Sequence, residues 1–187
     1  MVKENACVFI SGTGSNLKSI IHNSRDPNFP VKINLVLSNN KKATGINYPK
    51  KFGIPYKIIN SRISKFEHVA LREVNKRKIK LICLAGFMRI LSKNFLRRFK
   101  GKIINIHPSL LPKYKGLDTY KKALKNGDKI TGCTVHYVDE KLDSGRIILK
   151  KRIQIEKSEI EKSLKRKVQI EEHKAFSMAI RKIYISN

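Results

Sequence analysis

The chain contains no tryptophan, and its six tyrosines and eight phenylalanines are dispersed along its length. That dispersal excludes the interleaved aromatic platform on which single-stranded nucleic acid stacks, and no helix-turn-helix signature takes its place. Long apolar runs are also missing. LICLAGF, from Leu81 to Phe87, is among the longest, far short of the roughly 20 residues that a bilayer-spanning helix needs. Glu4 and Asn5 interrupt the approach to the first apolar run and no small-residue cleavage site follows, so no secretory leader is expected and a cytoplasmic protein is. Cysteine is scarce: Cys7, Cys83 and Cys133 are odd in number, far apart and each set in an apolar stretch. This favours reduced core thiols and offers no metal-ligand spacing.

Acidic residues are the other shortage. Fourteen carboxylates face 41 lysines and arginines, a net charge of +27, and such a charge attracts nucleic acid and other polyanions. Yet the lysines run from Lys3 to Lys182 with only short pairs such as Lys41-Lys42, Lys50-Lys51 and Lys121-Lys122. Dispersed charge of this kind fits solvated helix faces in a sequence drifted toward lysine; a dedicated polyanion surface is the alternative.

What is present suits one domain. The 187 residues are 41% hydrophobic and 29% charged, near the globular norm, and a chain this long can bury roughly 70% of its unfolded surface. ACVFIS (Ala6 to Ser11) ends in Gly12, Thr13 and Gly14, after which Leu17, Ile20 and Ile21 recur at helical spacing: strand, glycine loop, helix. KINLVLS (Lys32 to Ser38) predicts a second strand, Thr44 to Phe52 a helix, and IPYKII (Ile54 to Ile59) a third strand. A longer amphipathic helix follows, with Phe66, Val69, Ala70, Glu73 and Val74 on one face and Arg72, Lys76 and Arg77 on the other. LICLAGF, a basic helix around Asn94 to Phe99 and the strand KIINIH (Lys102 to His107) continue the alternation. The expected class is α/β: a single-domain, Rossmann-like, open and mostly parallel twisted sheet, its apolar strands covered by helices on both faces. SLLPKYKGLDTY is too irregular for either period and predicts a functional loop. Thr131 to Val138 and Arg146 to Ile155 read as further strands, and Ser158 to Ile183 as a helix whose Ser158 and Glu161 have capping-box spacing.

Three places could carry chemistry. SGTGSN (Ser11 to Asn16) joins a strand end to a helix start, where free amides suit a phosphate; it lacks the lysine of a triphosphatase loop and the third glycine of a dinucleotide fingerprint, and its glycines would equally serve a tight turn. Asn105 and His107 stand two apart near the end of a buried strand, so an amide and an imidazole can project to one side. An isolated histidine there would be structural; the neighbouring asparagine and the prolines of NIHPSLLP favour catalysis. Asp143, in the loop DEKLDSG, can stabilise an imidazolium and relay protons, or simply form a turn.

These residues are similar to a known family. SGTGSNL, LAGFMRIL (Leu84 to Leu91), NIHPSLLPKYKG (Asn105 to Gly116), GCTVHYVDEKLDSG (Gly132 to Gly145) and VQIEEH (Val168 to His173) together resemble the folate-dependent formyltransferases that act on glycinamide ribonucleotide in purine synthesis, over nearly the full length. The resemblance implies a formyl transfer from 10-formyltetrahydrofolate, a co-substrate, with no metal. It implies a catalytic trio of Asn105, His107 and Asp143, with His107 charged beside Asp143, and a supporting role for His136. Gly14, Ser15 and Asn16 would grip the ribonucleotide phosphate, and Gln169, Ile170, Glu171 and Glu172 the rest of that substrate. Met88, Arg89, Ile90, Leu91, Asp139, Glu140, Lys141, Leu142 and Asp143, with Asn105, would line the folate pocket, and Lys65 falls near a basic residue that contacts folate.

The resemblance also implies two halves in the one domain, residues 1–100 for phosphate and 101–187 for folate and catalysis. The partners are then the two small molecules, with no specific nucleic acid and no membrane, and the state is a monomer or a homodimer. Four positions depart from the family pattern: Arg146 and Lys115 stand where prolines are common, Asp118 and Tyr120 where histidines are. Methionyl-tRNA formyltransferases share the chemistry and would suit the charge, but carry an additional C-terminal tRNA domain for which a chain ending at Asn187 leaves no expected room. Formyltetrahydrofolate hydrolases add an N-terminal regulatory domain, and a first strand near Ala6 leaves no expected room for that. A nucleic-acid binding protein is the rival of another class.

Overall fold

A computed structural model describes residues 2–185. Seven strands hydrogen-bond in the order β3-β2-β1-β4-β5-β6-β7, a mostly parallel sheet as the alternating pattern predicts. By backbone contacts the chain divides between Ile104 and Asn105 into two units.

In the first unit β1 (Glu4–Ile10) lies parallel between β2 (Val31–Ser38) and β4 (Leu81–Leu84), and β2 pairs with β3 (Tyr56–Ile58). Helix α1 (Ser15–Ser24) follows the glycine loop, α2 (Asn47–Lys51) precedes β3, and α3 (Ile63–Lys76) precedes β4. Phe9 anchors the core: its ring lies 5.4 Å from Phe66, 5.4 Å from Phe87 and 6.2 Å from Phe95, all edge-on. Such pairs add about 0.5 to 1.5 kcal/mol each beyond the area they bury. Phe95 belongs to α4 (Lys93–Arg98), whose N-cap Ser92 accepts from the Phe95 N–H at 3.1 Å. Buried Glu67 of α3 receives both the Ser92 N–H and its hydroxyl at 2.6 Å, which ties LAGFMRIL down at its far end.

Three expectations for this unit need correction. The third strand is only three residues, and Tyr56 and Ile58 are each 40% exposed, because β3 is the last strand in the order and has a neighbour on one side only. Thr44 to Phe52 divides into a 3-10 turn, Thr44–Ile46, and the short α2. Val69 is only half-buried in α3, where Leu71 and Glu67 take the inner positions.

Strand β5 (Lys102–His107) carries the chain into the second unit, where α5 (Thr119–Lys125), β6 (Ile130–Tyr137), β7 (Ile147–Gln154) and α6 (Glu161–Ile185) follow. β6 and β7 are antiparallel, with a register shift between Val135 and His136. Leu164, Val168, Ala175, Phe176, Ala179 and Ile180 form the buried stripe of α6, which packs on β6 and β7. Its start differs from the expected capping box. Ser158 lies in a turn, and Ser163 reaches back to accept the Ile160 N–H at 3.2 Å; a serine therefore performs at the third helical position what a glutamate was expected to do.

Cys7, Cys83 and Cys133 are free and buried. Burial raises the Cys7 and Cys83 thiols well above their ordinary value and pushes Cys133 up to about 12, so all three stay protonated and unreactive. Among the described residues no helix is long and apolar enough to cross a membrane, and no group of three or more His, Cys, Asp or Glu side chains could hold a metal ion.

Candidate active site

The second unit brings the expected trio together. Asn105 and His107 come from the end of β5, two residues apart on one side of the strand, and His136 from the last turn of pleat in β6. Asp143 arrives on the loop before β7 with φ of 46°, a left-handed conformation that aspartate tolerates better than most residues. Its loop is held by Gly145, where a Cβ would lie 1.8 Å from the Tyr137 carbonyl oxygen.

His107 Nδ1 lies 3.3 Å from Asp143 Oδ2, with the two side chains 6% and 7% exposed. His107 Nε2 lies 2.8 Å from the Tyr114 carbonyl oxygen. Both ring nitrogens therefore face acceptors, an arrangement that only the doubly protonated ring satisfies in full. Burial opposes that charge more strongly, and although the Tyr114 carbonyl and Asp143 push upward, the pKa falls below the ordinary 6.5. The resting ring is thus neutral at neutral pH, in surroundings arranged to take a proton. This differs from a histidine held charged by its aspartate, because desolvation outweighs the carboxylate.

Asp143 is ionised. Burial works to raise its pKa, but the His136 imidazole, the Gly116 N–H and His107 together hold it below 3.8, the two rings contributing when they carry a second proton. Gly116 N–H donates to Oδ2 at 2.9 Å, while Oδ1 lies 3.6 Å from His136 Nε2. His136 Nδ1 is 2.8 Å from the Tyr137 carbonyl, so it carries the proton and donates; Nε2 then accepts from the Asn105 amide at 3.2 Å. His136 thereby fixes which way the Asn105 amide turns.

In the first unit, Gly14 is the N-cap of α1 with φ of 72°. It has no side chain to occupy the first amides of α1, which begins at Ser15 and buries Asn16. Met88 and Ile90 are each 68% exposed and Leu91 is buried. Arg89 is committed to the protein: its guanidinium donates to the Ser61 carbonyl, and with the Asn39 amide turned to satisfy both its atoms, Nε donates to the Asn39 oxygen at 2.9 Å. Ser11 Oγ accepts the Met88 N–H at 2.8 Å, joining the glycine loop to LAGFMRIL. Lys65 is exposed on the first turn of α3.

The remaining expected residues lie in the second unit and divide by face. On α6, Glu172 is buried with Gln169 half-buried beside it, whereas Ile170 is 49% exposed and Glu171 pairs with Lys174 at 2.7 Å. Asp139 accepts the Lys141 N–H at 3.0 Å in a local turn, and Leu142 is 51% exposed; Glu140 and Lys141 are exposed too. The departing positions have roles of their own. Arg146 lies 4.8 Å over the Tyr137 ring, Lys115 donates to Ser144, Asp118 takes a left-handed conformation at the start of α5, and burial raises the Tyr120 phenol with Glu172 adding to it.

Residues 4–180 match the formyl transferase family. The chain belongs to that family. It is 40% identical over 182 residues to the human trifunctional purine biosynthetic protein adenosine-3, which covers 95% of this chain but only 18% of that protein. It is 36% identical to phosphoribosylglycinamide formyltransferase of Escherichia coli strain K12 over 94% of this chain and 85% of that one. The crystal structure of phosphoribosylglycinamide formyltransferase from Anaplasma phagocytophilum superposes with a TM-score of 0.92 at 36% identity, covering 99% of this chain and 89% of that one. The formyl transferase chain thus has the fold of its relatives, and the α/β class follows from strand alternation and superposition alike. Sequence reading missed Tyr114 and Gly116, which contribute a carbonyl and an N–H: no side-chain pattern announces a backbone group, though the irregular loop that carries them was visible.

Proposed function

We propose that this formyl transferase moves the formyl group of 10-formyltetrahydrofolate onto the amine of glycinamide ribonucleotide. The bacterial relatives are named for formyl transfer to phosphoribosylglycinamide, and the shared motifs supply the folate donor. The observation that carries the reading is the meeting of an amide, two imidazoles and an ionised carboxylate at Asn105, His107, His136 and Asp143.

The neutral amine attacks the formyl carbon, a C–N bond forms, and negative charge develops on the formyl oxygen. One N–H of Asn105 is committed to His136; the other meets that oxygen, a donor of a kind often worth about 3 kcal/mol in the transition state. The proton leaving the amine passes through water to the Asp143–His107 pair, whose imidazole rests neutral because burial lowers its pKa and is therefore available to accept it. Protonated, His107 keeps an acceptor at each nitrogen and its charge offsets the oxyanion. The proton then goes to the folate nitrogen as its bond to the formyl carbon breaks, leaving formylglycinamide ribonucleotide and tetrahydrofolate.

In this reading Gly14, Ser15 and Asn16 take the ribonucleotide phosphate on the α1 amides. The Asp139 to Asp143 loop covers the folate ring. The test mixes protein, glycinamide ribonucleotide and a 10-formyl folate and follows release of the deformylated folate by absorbance. Turnover that needs both small molecules is the expected result; an inert protein that binds RNA tightly at physiological salt would overturn it.

A further inference from the structure

The loop that touches both His107 and Asp143 is itself anchored at a distance from them. We infer that Asp128 is a positioning residue for His107, holding the Tyr114 phenol and through it the Tyr114 carbonyl that receives the imidazole. The inference rests on the proposed role of His107.

Tyr114 has φ of 55°, a left-handed conformation that disfavours any residue with a Cβ, so something must hold it there. Its hydroxyl donates to Asp128 Oδ2 at 2.8 Å and accepts from the Asn126 amide at 2.8 Å. The other oxygen, Asp128 Oδ1, receives Lys113 Nζ at 2.6 Å, and that ammonium lies 5.0 Å over the Tyr114 ring. Asp128 is placed in turn by its own N–H, which donates to the Ala123 carbonyl at 3.1 Å at the end of α5. From α5 the chain of contacts runs through carboxylate and phenol to a backbone carbonyl 2.8 Å from His107 Nε2.

On the near side the loop divides its backbone between the two reacting side chains, the Tyr114 carbonyl to His107 and the Gly116 N–H to Asp143. Ser109, fully buried, donates to the Lys113 carbonyl and steadies the peptide before Tyr114. The phenol is the outer clamp and Ser109 the inner one. Releasing the clamp lets Tyr114 relax toward ordinary φ, which turns its carbonyl from the ring and removes one of the two acceptors that stabilise the protonated form.

The charged and titratable groups facing His107 are Asp143 from the aspartate loop, His136 from β6 and Lys122 from α5; Asp128 and Lys113 face the phenol. None of these groups around His107 is altered by Tyr114→Phe, so that variant isolates the carbonyl, while Asp128→Ala also removes a charge and leaves Lys113 without its ion-pair partner. The test follows the His107 ring protons by NMR across pH in the intact protein, beside kcat and KM. In Tyr114→Phe and Asp128→Ala the His107 midpoint moves down and kcat falls about tenfold, while KM for glycinamide ribonucleotide stays within about twofold. Asp128→Asn keeps an oxygen for the phenol and restores most of the loss, which separates the hydrogen bond from the charge.

The titration needs no substrate, so it reads the clamp even if the proposed reaction were absent. Thermal melting accompanies each variant, and Tyr114→Phe, which removes one oxygen atom, carries the test should Asp128→Ala fail to fold. A His107 midpoint unchanged in Tyr114→Phe overturns the inference.

Discussion

Gly14 and Gly45 stand back to back: a Cβ on Gly14 would lie 2.8 Å from the Cα of Gly45, and one on Gly45 would lie 2.9 Å from the Cα of Gly14. The Gly45 N–H also donates to the Gly12 carbonyl at 3.1 Å. The glycine loop therefore owes its shape to a 3-10 turn that follows β2. Ser11 N–H donates to the Gly86 carbonyl at 3.1 Å, so the same loop is braced from β4 as well.

Gly45→Ala should therefore distort the glycine loop to which the proposed reaction assigns the phosphate. The added methyl also meets Ile10 Cδ1 at 2.9 Å and the Gly12 oxygen at 3.0 Å, and backbone cannot yield as a long side chain can. KM for glycinamide ribonucleotide should rise about tenfold with a smaller change in kcat. Steady-state kinetics with varied ribonucleotide measures this, and an unchanged KM would remove Gly14 to Asn16 from substrate binding.

His107→Ala removes the proton carrier of the proposed reaction. A drop in kcat of about a hundredfold or more is expected, in a protein that still melts cooperatively. Turnover at the wild-type rate would take His107 out of the chemistry.

His107 should also make the fold sensitive to mild acid. Its folded pKa lies below 6.5, so as pH falls through 6.5 the unfolded chain gains a proton that the folded one refuses, and stability declines until the folded value is reached. Asp143 adds to this only lower down: its depressed pKa contributes stability above 3.8 that is lost as pH falls toward the folded value. Melting temperatures at about pH 7.5 and about pH 5 should differ less in His107→Asn than in the wild type. Equal differences in the two proteins would contradict the buried neutral ring.

Gly145→Ala tests the seat of the aspartate loop. The methyl would lie 1.8 Å from the Tyr137 oxygen, closer than any contact can be, so the strand or the loop must move. Since Tyr137 N–H pairs with the Arg146 carbonyl at 2.9 Å, displacement carries Asp143 away from His107. Melting temperature should fall by several degrees, as for a loss of about 1 to 3 kcal/mol, and kcat should fall with it; a variant matching the wild type in both would show that the loop tolerates a side chain there.

Most elements were legible because their cause is local. The apolar runs of β1, β2, β4 and β5 have no soluble alternative to burial, and the glycines after β1 permit one kind of turn. The sequence overstates β3 because Ile54 and Ile59 look alike in it, whereas pairing on one side sustains only Tyr56–Ile58. The start of α6 is hidden in the sequence because Ser158 and Ser163 are equivalent as residue types, and only the path of the turn decides which one reaches the Ile160 N–H.

For the candidate site, the sequence by itself determined the chemical inventory: Asn105, His107, His136 and Asp143 on their strands and turns, and a glycine loop at the head of a helix. Only the tertiary structure decided what those groups do to one another. Desolvation outweighing a carboxylate at His107, His136 orienting the Asn105 amide, and a phenol on Asp128 setting a carbonyl against the imidazole all depend on distances between residues far apart in the chain. Electrostatic and hydrogen-bond energies change over fractions of an ångström, and residue order carries no such information.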